Sequence, residues 1–278
     1  MNPEIKLEIL KATPSVSSDL ATKKTPLGTI ILIHGAWHSA ICWADTFLPY
    51  FAEQGYNVVA PSLRHHGKSE GVGALRWQRI RAYAADIQQV VQNLEGKIYL
   101  VGHSMGGHVV QKYLELYPDA PIEKAVLLCS VPPHGVWRAT LKAISKHPMS
   151  FLLVNLTLSF KPLLRSTERV KELFFTNKIS EKQLETAFKN VQDESYLAYL
   201  DRLFLDLPKP RKIKTPMLVI GGSDDFIFDK KDVLATAKAY NTEGVIFENE
   251  AHNLFMENNW KDVARAIQTF IESKAVEI

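Results

Sequence analysis

Cysteine is scarce in this chain, which has only Cys42 and Cys129 among 278 residues. The two sit in separate segments without metal-ligand spacing. Neither a disulfide framework nor a structural metal site is expected, and both read as free thiols of a reducing compartment. A charge of one sign is lacking as well: 33 basic against 30 acidic residues leave a formal net charge of +3, too small for a nucleic-acid-binding surface. No apolar run approaches bilayer-spanning length. The opening Met1-Asn2-Pro3-Glu4-Ile5-Lys6 shows no basic stretch followed by an apolar one, so no secretion signal is expected and the reading is cytoplasmic. Internal repeats and low-complexity tracts are missing too. A chain of this length buries roughly three quarters of its unfolded surface, so it needs no staple.

What is present is an alternation of short β-branched runs with helical patterns. The runs are 29–33, 57–60, 97–101, 124–129, 216–220 and 244–247. Most are apolar throughout, as expected of parallel strands covered on both faces. Helical patterns fall at 44–54, 80–94, 107–117, 231–240 and 260–274. A strand or hairpin at 5–10 opens the chain, followed by a polar loop through Lys24. This pattern predicts an α/β fold with a doubly wound, mostly parallel sheet. One connection, from Cys129 to Pro216, is about eighty residues long against a usual two to six. It carries helical patterns at 136–146, 151–160, 167–175, 180–191 and 195–205. The expected organisation is a core of residues 1–133 and 209–278 with a helical cap at 134–208. The cap would follow the sixth strand, counting 5–10 and a hairpin partner as the first two.

Residues 100–107 read Leu-Val-Gly-His-Ser-Met-Gly-Gly, a small-x-Ser-x-small pentapeptide straight after an apolar run. A serine there sits on a sharp strand-to-helix turn, and Gly102 and Gly106 let backbone approach without a Cβ clash. Ser104 is therefore the candidate nucleophile. An unaided hydroxyl does not attack, so a base and an orienting carboxylate are required, in the chain order Ser, acid, His. Of nine histidines only His252 lies beyond the last run. The acid belongs after the run 216–220, where Asp224 and Asp225 stand, because residues 124–167 contain no Asp or Glu. Asp225 is favoured, with Asp224 capping the turn or facing solvent. The oxyanion hole needs two N–H donors. Met105 supplies one as the residue after the nucleophile, and Ala36, in His34-Gly35-Ala36-Trp37-His38, supplies the other, with Trp37 the runner-up. His34 reads as a loop-bonding residue.

These pieces, together with Arg64-His65-His66-Gly67-Lys68-Ser69, Gly222-Ser223-Asp224-Asp225 and Ala251-His252-Asn253, resemble an α/β-hydrolase of the monoglyceride-lipase, carboxylesterase and serine-aminopeptidase-like group. The Arg-x-His-Gly-x-Ser piece of that group usually has glycine where His65 stands. Epoxide hydrolases and haloalkane dehalogenases carry aspartate in place of Ser104, and proline iminopeptidases carry a different loop at 34–38. Hydroxynitrile lyases keep the triad. The resemblance and the residues together imply a serine hydrolase that needs no cofactor and no metal. It would cleave carboxylic esters of moderately lipophilic acyl groups through an acyl-enzyme. The same triad also serves thioester, amide or C–C bond hydrolysis, or acyl transfer. A ligand receptor on this fold with little turnover is the non-enzymatic reading.

The expected partner is a small-molecule ester, not nucleic acid. Candidate substrate contacts are Trp37, His103, Trp137, Leu141 and Phe160, although the side chain of His103 should face away from that of Ser104. Arg138, Lys142 and Lys146 recur every fourth residue, opposite Trp137, Leu141 and Ile144. This stripe reads either as a solvated face or as a peripheral membrane or lipid contact through the cap.

Overall fold

The computed structural model describes residues 5–14 and 25–273. Strands β1 (Ile9–Ala12), β2 (Thr29–Ile33), β3 (Asn57–Pro61), β4 (Ile98–His103), β5 (Ile122–Leu128), β6 (Met217–Gly222) and β7 (Gly244–Phe247) form one sheet in the order β1-β3-β2-β4-β5-β6-β7. Among the described strands only β1 runs antiparallel to its neighbour. The apolar runs follow from burial on both faces. Ile30 and Leu32 point to a layer holding Trp43, with Phe47 and Phe51 of helix α1 (Phe47–Glu53). Ile31 and Ile33 point to the opposite layer, with α2 (Ile80–Val91) and α3 (Met105–Leu116). Helices α9 (Lys230–Ala239) and α10 (Trp260–Glu272) complete the two layers. Since β3 lies on one side of β2 and β4 on the other, the carboxyl ends of β2 and β4 flank the crevice where open α/β sheets hold their ligands.

Between β5 and β6 come five helices: α4 (Trp137–Lys146), α5 (Pro148–Thr157), α6 (Thr167–Phe174), α7 (Glu181–Lys189) and α8 (Tyr196–Leu200). Ser180 and Gln183 form a reciprocal capping box at the start of α7. Val154, Phe160, Val170, Phe174 and Tyr199 of this insertion share one buried cluster with Val131 and Phe228 of the sheet loops. Asp201, in a π-helical turn after α8, accepts hydrogen bonds from Arg79 Nε (2.8 Å) and the Ile80 N–H (3.0 Å), which anchors the insertion to α2.

Some boundaries differ from the expected ones for local reasons. The first strand begins at Ile9 instead of Ile5 because Ile5 and Glu8 direct their N–H groups to the side chains of Gln89 and Ser69. The expected helix 44–54 is a 3-10 turn, Ala40–Trp43, followed by α1. Helix α5 starts at Pro148 instead of Phe151, since proline fits a first turn, where its missing N–H has no partner to lose. The expected loop through Lys24 has its residues 15–24 outside the described ones, as does any hairpin partner there. Among the described residues the insertion follows the fifth strand. No helix of the described residues is long and apolar enough to cross a membrane.

A buried ion pair holds the loop after β3. Asp86 of α2 accepts from the Arg64 backbone N–H (2.9 Å), Nε (2.9 Å) and Nη2 (2.6 Å), and both side chains are removed from water. This fixes His65 at φ 64, a left-handed conformation that explains why glycine usually stands there. Asp86→Ala would strand a buried guanidinium. A loss of about 3–5 kcal/mol in urea unfolding is expected, and a loss below about 1 kcal/mol would show that the pair does not hold this loop.

Candidate active site

Ser104 closes the turn from β4 into α3 with φ 52 and ψ −116. Steric crowding dictates the small residues around it. A Cβ on Gly102 would meet the Gly106 carbonyl oxygen at 2.5 Å, and one on Gly106 would meet the Ile33 carbonyl oxygen at 2.3 Å. Helix α3 can thus start directly against the ends of β2 and β4 only with glycine at both sites. The Ser104 N–H donates to the Leu128 carbonyl (3.0 Å) and its own carbonyl accepts from the Val131 N–H (3.1 Å), so the serine is fixed to β5 from both sides.

Asp225 and His252 come together from the loops after β6 and β7. Oδ1 of Asp225 accepts the N–H groups of Ile227 (2.7 Å) and Phe228 (3.0 Å). That leaves Oδ2 for Nδ1–H of His252 at 2.8 Å. Both side chains are buried, and Nε2 of His252 has no hydrogen-bond partner among the described residues. An Nδ1–H that donates to the carboxylate selects the tautomer whose lone pair lies on Nε2. Asp224 is exposed and pairs with the Ser223 hydroxyl (2.8 Å).

Gly35 brings the loop 34–38 against Ser104, since a Cβ there would lie 3.0 Å from Ser104 Cβ and 2.7 Å from His103 Nδ1. Among the described residues, neither the Ala36 N–H nor the Met105 N–H finds an acceptor. His38 ties this loop to the segment beside His252: its Nδ1–H donates to the Ala36 carbonyl (2.7 Å) and its Nε2 accepts from Asn253 Nδ2 (3.1 Å). His34 donates from Nδ1 to the Gly35 carbonyl (2.8 Å) and accepts the Leu63 N–H at Nε2 (3.0 Å).

A cavity of about 90 Å³ opens on Ser104, Ala36 and Trp37. Its walls come from α4 (Ala139, Thr140, Ala143), from Phe151 and Phe160, and from Phe226-Ile227-Phe228 beside the acid. Trp37 and Phe160 thus stand where expected, their rings 6.0 Å apart. Trp137 and Leu141 do not line it: they are 49% and 58% exposed. At 3.6 residues per turn they lie on a different face of α4 from Ala139 and Ala143. His103 is no substrate contact either. It is buried beneath His252, donating from Nε2 to the His252 carbonyl (3.0 Å). Successive side chains at the end of β4 alternate, which directs His103 away from Ser104. Residues that the sequence reading gave no role include His38, Asn253 and Glu194. Glu194 accepts from Tyr83 (2.9 Å) and meets His66 Nε2 at 3.3 Å, joining the insertion to the loop 64–69. The only signals for these were an asparagine beside His252 and the unassigned histidines.

Burial pushes His34 down to about 3 and His38 to about 4. Both are neutral in the fold, whereas in the unfolded chain they take up protons near the usual histidine range. Their contribution to stability is therefore complete above pH 6.5 and falls with acidification toward pH 4. Each is expected to remove about 1 kcal/mol per pH unit in that window. Urea unfolding of His38→Asn should show a shallower acid slope than wild type; an unchanged slope would contradict a buried neutral His38.

A family model described as the alpha/beta hydrolase family matches residues 30–266. Among curated proteins, the bifunctional esterase/perhydrolase of Acinetobacter calcoaceticus is 37% identical over 108 residues, 37% of each chain. The alignment therefore spans well under two thirds of that relative. A Bacillus subtilis phospholipase is 23% identical, over 89% of this chain and 96% of its own. Among solved structures, an esterase from Exiguobacterium antarcticum superposes with a TM-score of 0.77 at 18% identity, covering 97% and 96% of the two chains. A monoacylglycerol lipase from Paleococcus ferrophilus gives 0.67 at 21% identity, over 96% and 98%. With the family model spanning most of the sheet and all three site loops, the chain belongs to the α/β-hydrolase family.

Proposed function

We propose that this chain is a serine hydrolase that cleaves carboxylic esters with a moderately lipophilic acyl group. The observation that carries the reading is the buried Asp225–His252 pair, whose Nε2 has no partner among the described residues, together with a serine held at an elbow. Ser104 Oγ attacks the ester carbonyl while His252 Nε2 takes its proton. The tetrahedral oxygen sits against the N–H groups of Ala36 and Met105. The proton then passes from His252 to the leaving alcohol, and water, activated by the same nitrogen, releases the acid. Asp225 keeps the imidazole oriented and stabilises its cation. No metal or cofactor enters this sequence of steps. Aromatic and aliphatic side chains around Ser104 favour an acyl chain over a charged group. We treat 134–208 as the cap that supplies much of this wall, over a core formed by 1–133 and 209–278. The free thiols of Cys42 and Cys129 support a cytoplasmic location.

The two neighbouring aspartates give a sharp test with a p-nitrophenyl ester. Asp225→Asn should lower kcat by about 10⁴ through the wrong imidazole tautomer. Asp224→Asn, altering an exposed carboxylate, should stay within about threefold. The reverse ranking, or equal small effects, would remove Asp225 from the triad.

A further inference from the structure

Helix α4 presents its faces in an order unlike that of a surface helix. An ordinary amphipathic helix buries its apolar stripe and shows its charges to water. Here the basic stripe runs along the edge of the helix, reaching neighbouring groups while Lys142 and Lys146 stay exposed. Arg138 pairs with Asp229 (2.7 Å) and Asp232 (3.2 Å), Lys142 donates to the Phe226 carbonyl and stacks 4.0 Å from the centre of that ring, and Lys146 meets Glu172 (3.4 Å). A second face, Ala139, Thr140 and Ala143, walls the cavity. The third, Trp137, Leu141 and Ile144, is left in solvent. At 3.6 residues per turn the three faces lie roughly 120° apart. After a single residue, His147, helix α5 repeats the exposure: Met149 is 66% exposed and Leu156 71%, with Leu152 exposed between them.

Charge decides what could cover these side chains. Residues 124–167 hold no acidic residue. Lys142, Lys146, Lys161 and Arg165 are exposed within or just after the two helices. A second copy of the chain would bring the same positive charge to its twin, so self-association is opposed. A negatively charged lipid surface meets both features. Its acyl boundary takes the leucines and methionine, its headgroups take the basic residues, and Trp137 suits the level between them.

We propose that α4 and α5 form a peripheral docking surface for an anionic phospholipid bilayer. Docking in this way places the lipid on one face of α4 and the cavity behind another. The proposal does not depend on the role of Ser104 and is read by binding alone.

The test is co-sedimentation of the full-length protein with phosphatidylcholine vesicles, either pure or containing about one third phosphatidylserine. Wild type should bind the anionic vesicles about tenfold or more tightly than the neutral ones, and added salt should weaken it. Met149→Glu with Leu156→Glu should lower binding to anionic vesicles about tenfold or more. The same pair should leave the urea midpoint and hydrolysis of a short soluble ester at the wild-type level. The milder pair Met149→Ser, Leu156→Ser should act in the same direction, which separates lost docking from lost folding. Absence of wild-type binding to anionic vesicles, or equal binding by wild type and both pairs, overturns the proposal. A wild-type dimer that the glutamate pair converts to a monomer in light scattering assigns the patch to a second copy, and overturns it as well.

Discussion

The close approach of α3 to the ends of β2 and β4 is the constraint on which the site depends. Backbone carbonyls stand where side chains of residues 102 and 106 would project, and removing those side chains lets a helix begin immediately after a strand. The result is a serine at positive φ, lifted above the sheet at the point where neighbouring strands part company. The same closeness brings Gly35 onto Ser104 and so sets where Ala36 stands. A single steric fact therefore places Ser104 and the loop that carries Ala36.

Asp225 and His252 are held by a different device. Asp225 spends one oxygen on two backbone N–H groups of its own turn, which leaves the other fixed for His252. Behind that pair lies a set of neutral histidines. His103 supports the His252 carbonyl, and His38 spans from Ala36 to Asn253. Each imidazole bonds one group with a donor nitrogen and, for His34 and His38, another with an acceptor nitrogen, an arrangement open only to the neutral ring. Burial keeps them neutral, and the loops that carry the site are thereby linked without placing further charge near Asp225.

Much of this was legible in the sequence because it is local. Strands buried on both faces read as apolar runs, the elbow glycines adjoin their serine, and the order of serine, acid and histidine follows the chain. Of the walls of the cavity, only Trp37 and Phe160 were legible. Trp137 and Leu141 match an amphipathic stripe, yet which stripe of α4 faces the protein is settled by Asp229, Asp232 and Phe226, some ninety residues away. Periodicity gives the faces of a helix but not which one turns inward. The links from His38 to Asn253 and from Glu194 to His66 escaped for the same reason, since each joins groups far apart in sequence. His65 shows the converse. Its departure from glycine is explained by the Arg64–Asp86 pair holding a left-handed residue in place.

The central claim is that Ser104 is a nucleophile activated by His252. Treatment with a fluorophosphonate, followed by peptide mass mapping, tests it most directly, because the reagent reacts fastest with a serine whose proton is being removed. The account predicts one phosphonyl group per chain, on Ser104, with labelling slowed by about 10³ or more in His252→Ala. Labelling at another residue, or an equal rate in His252→Ala, would contradict it.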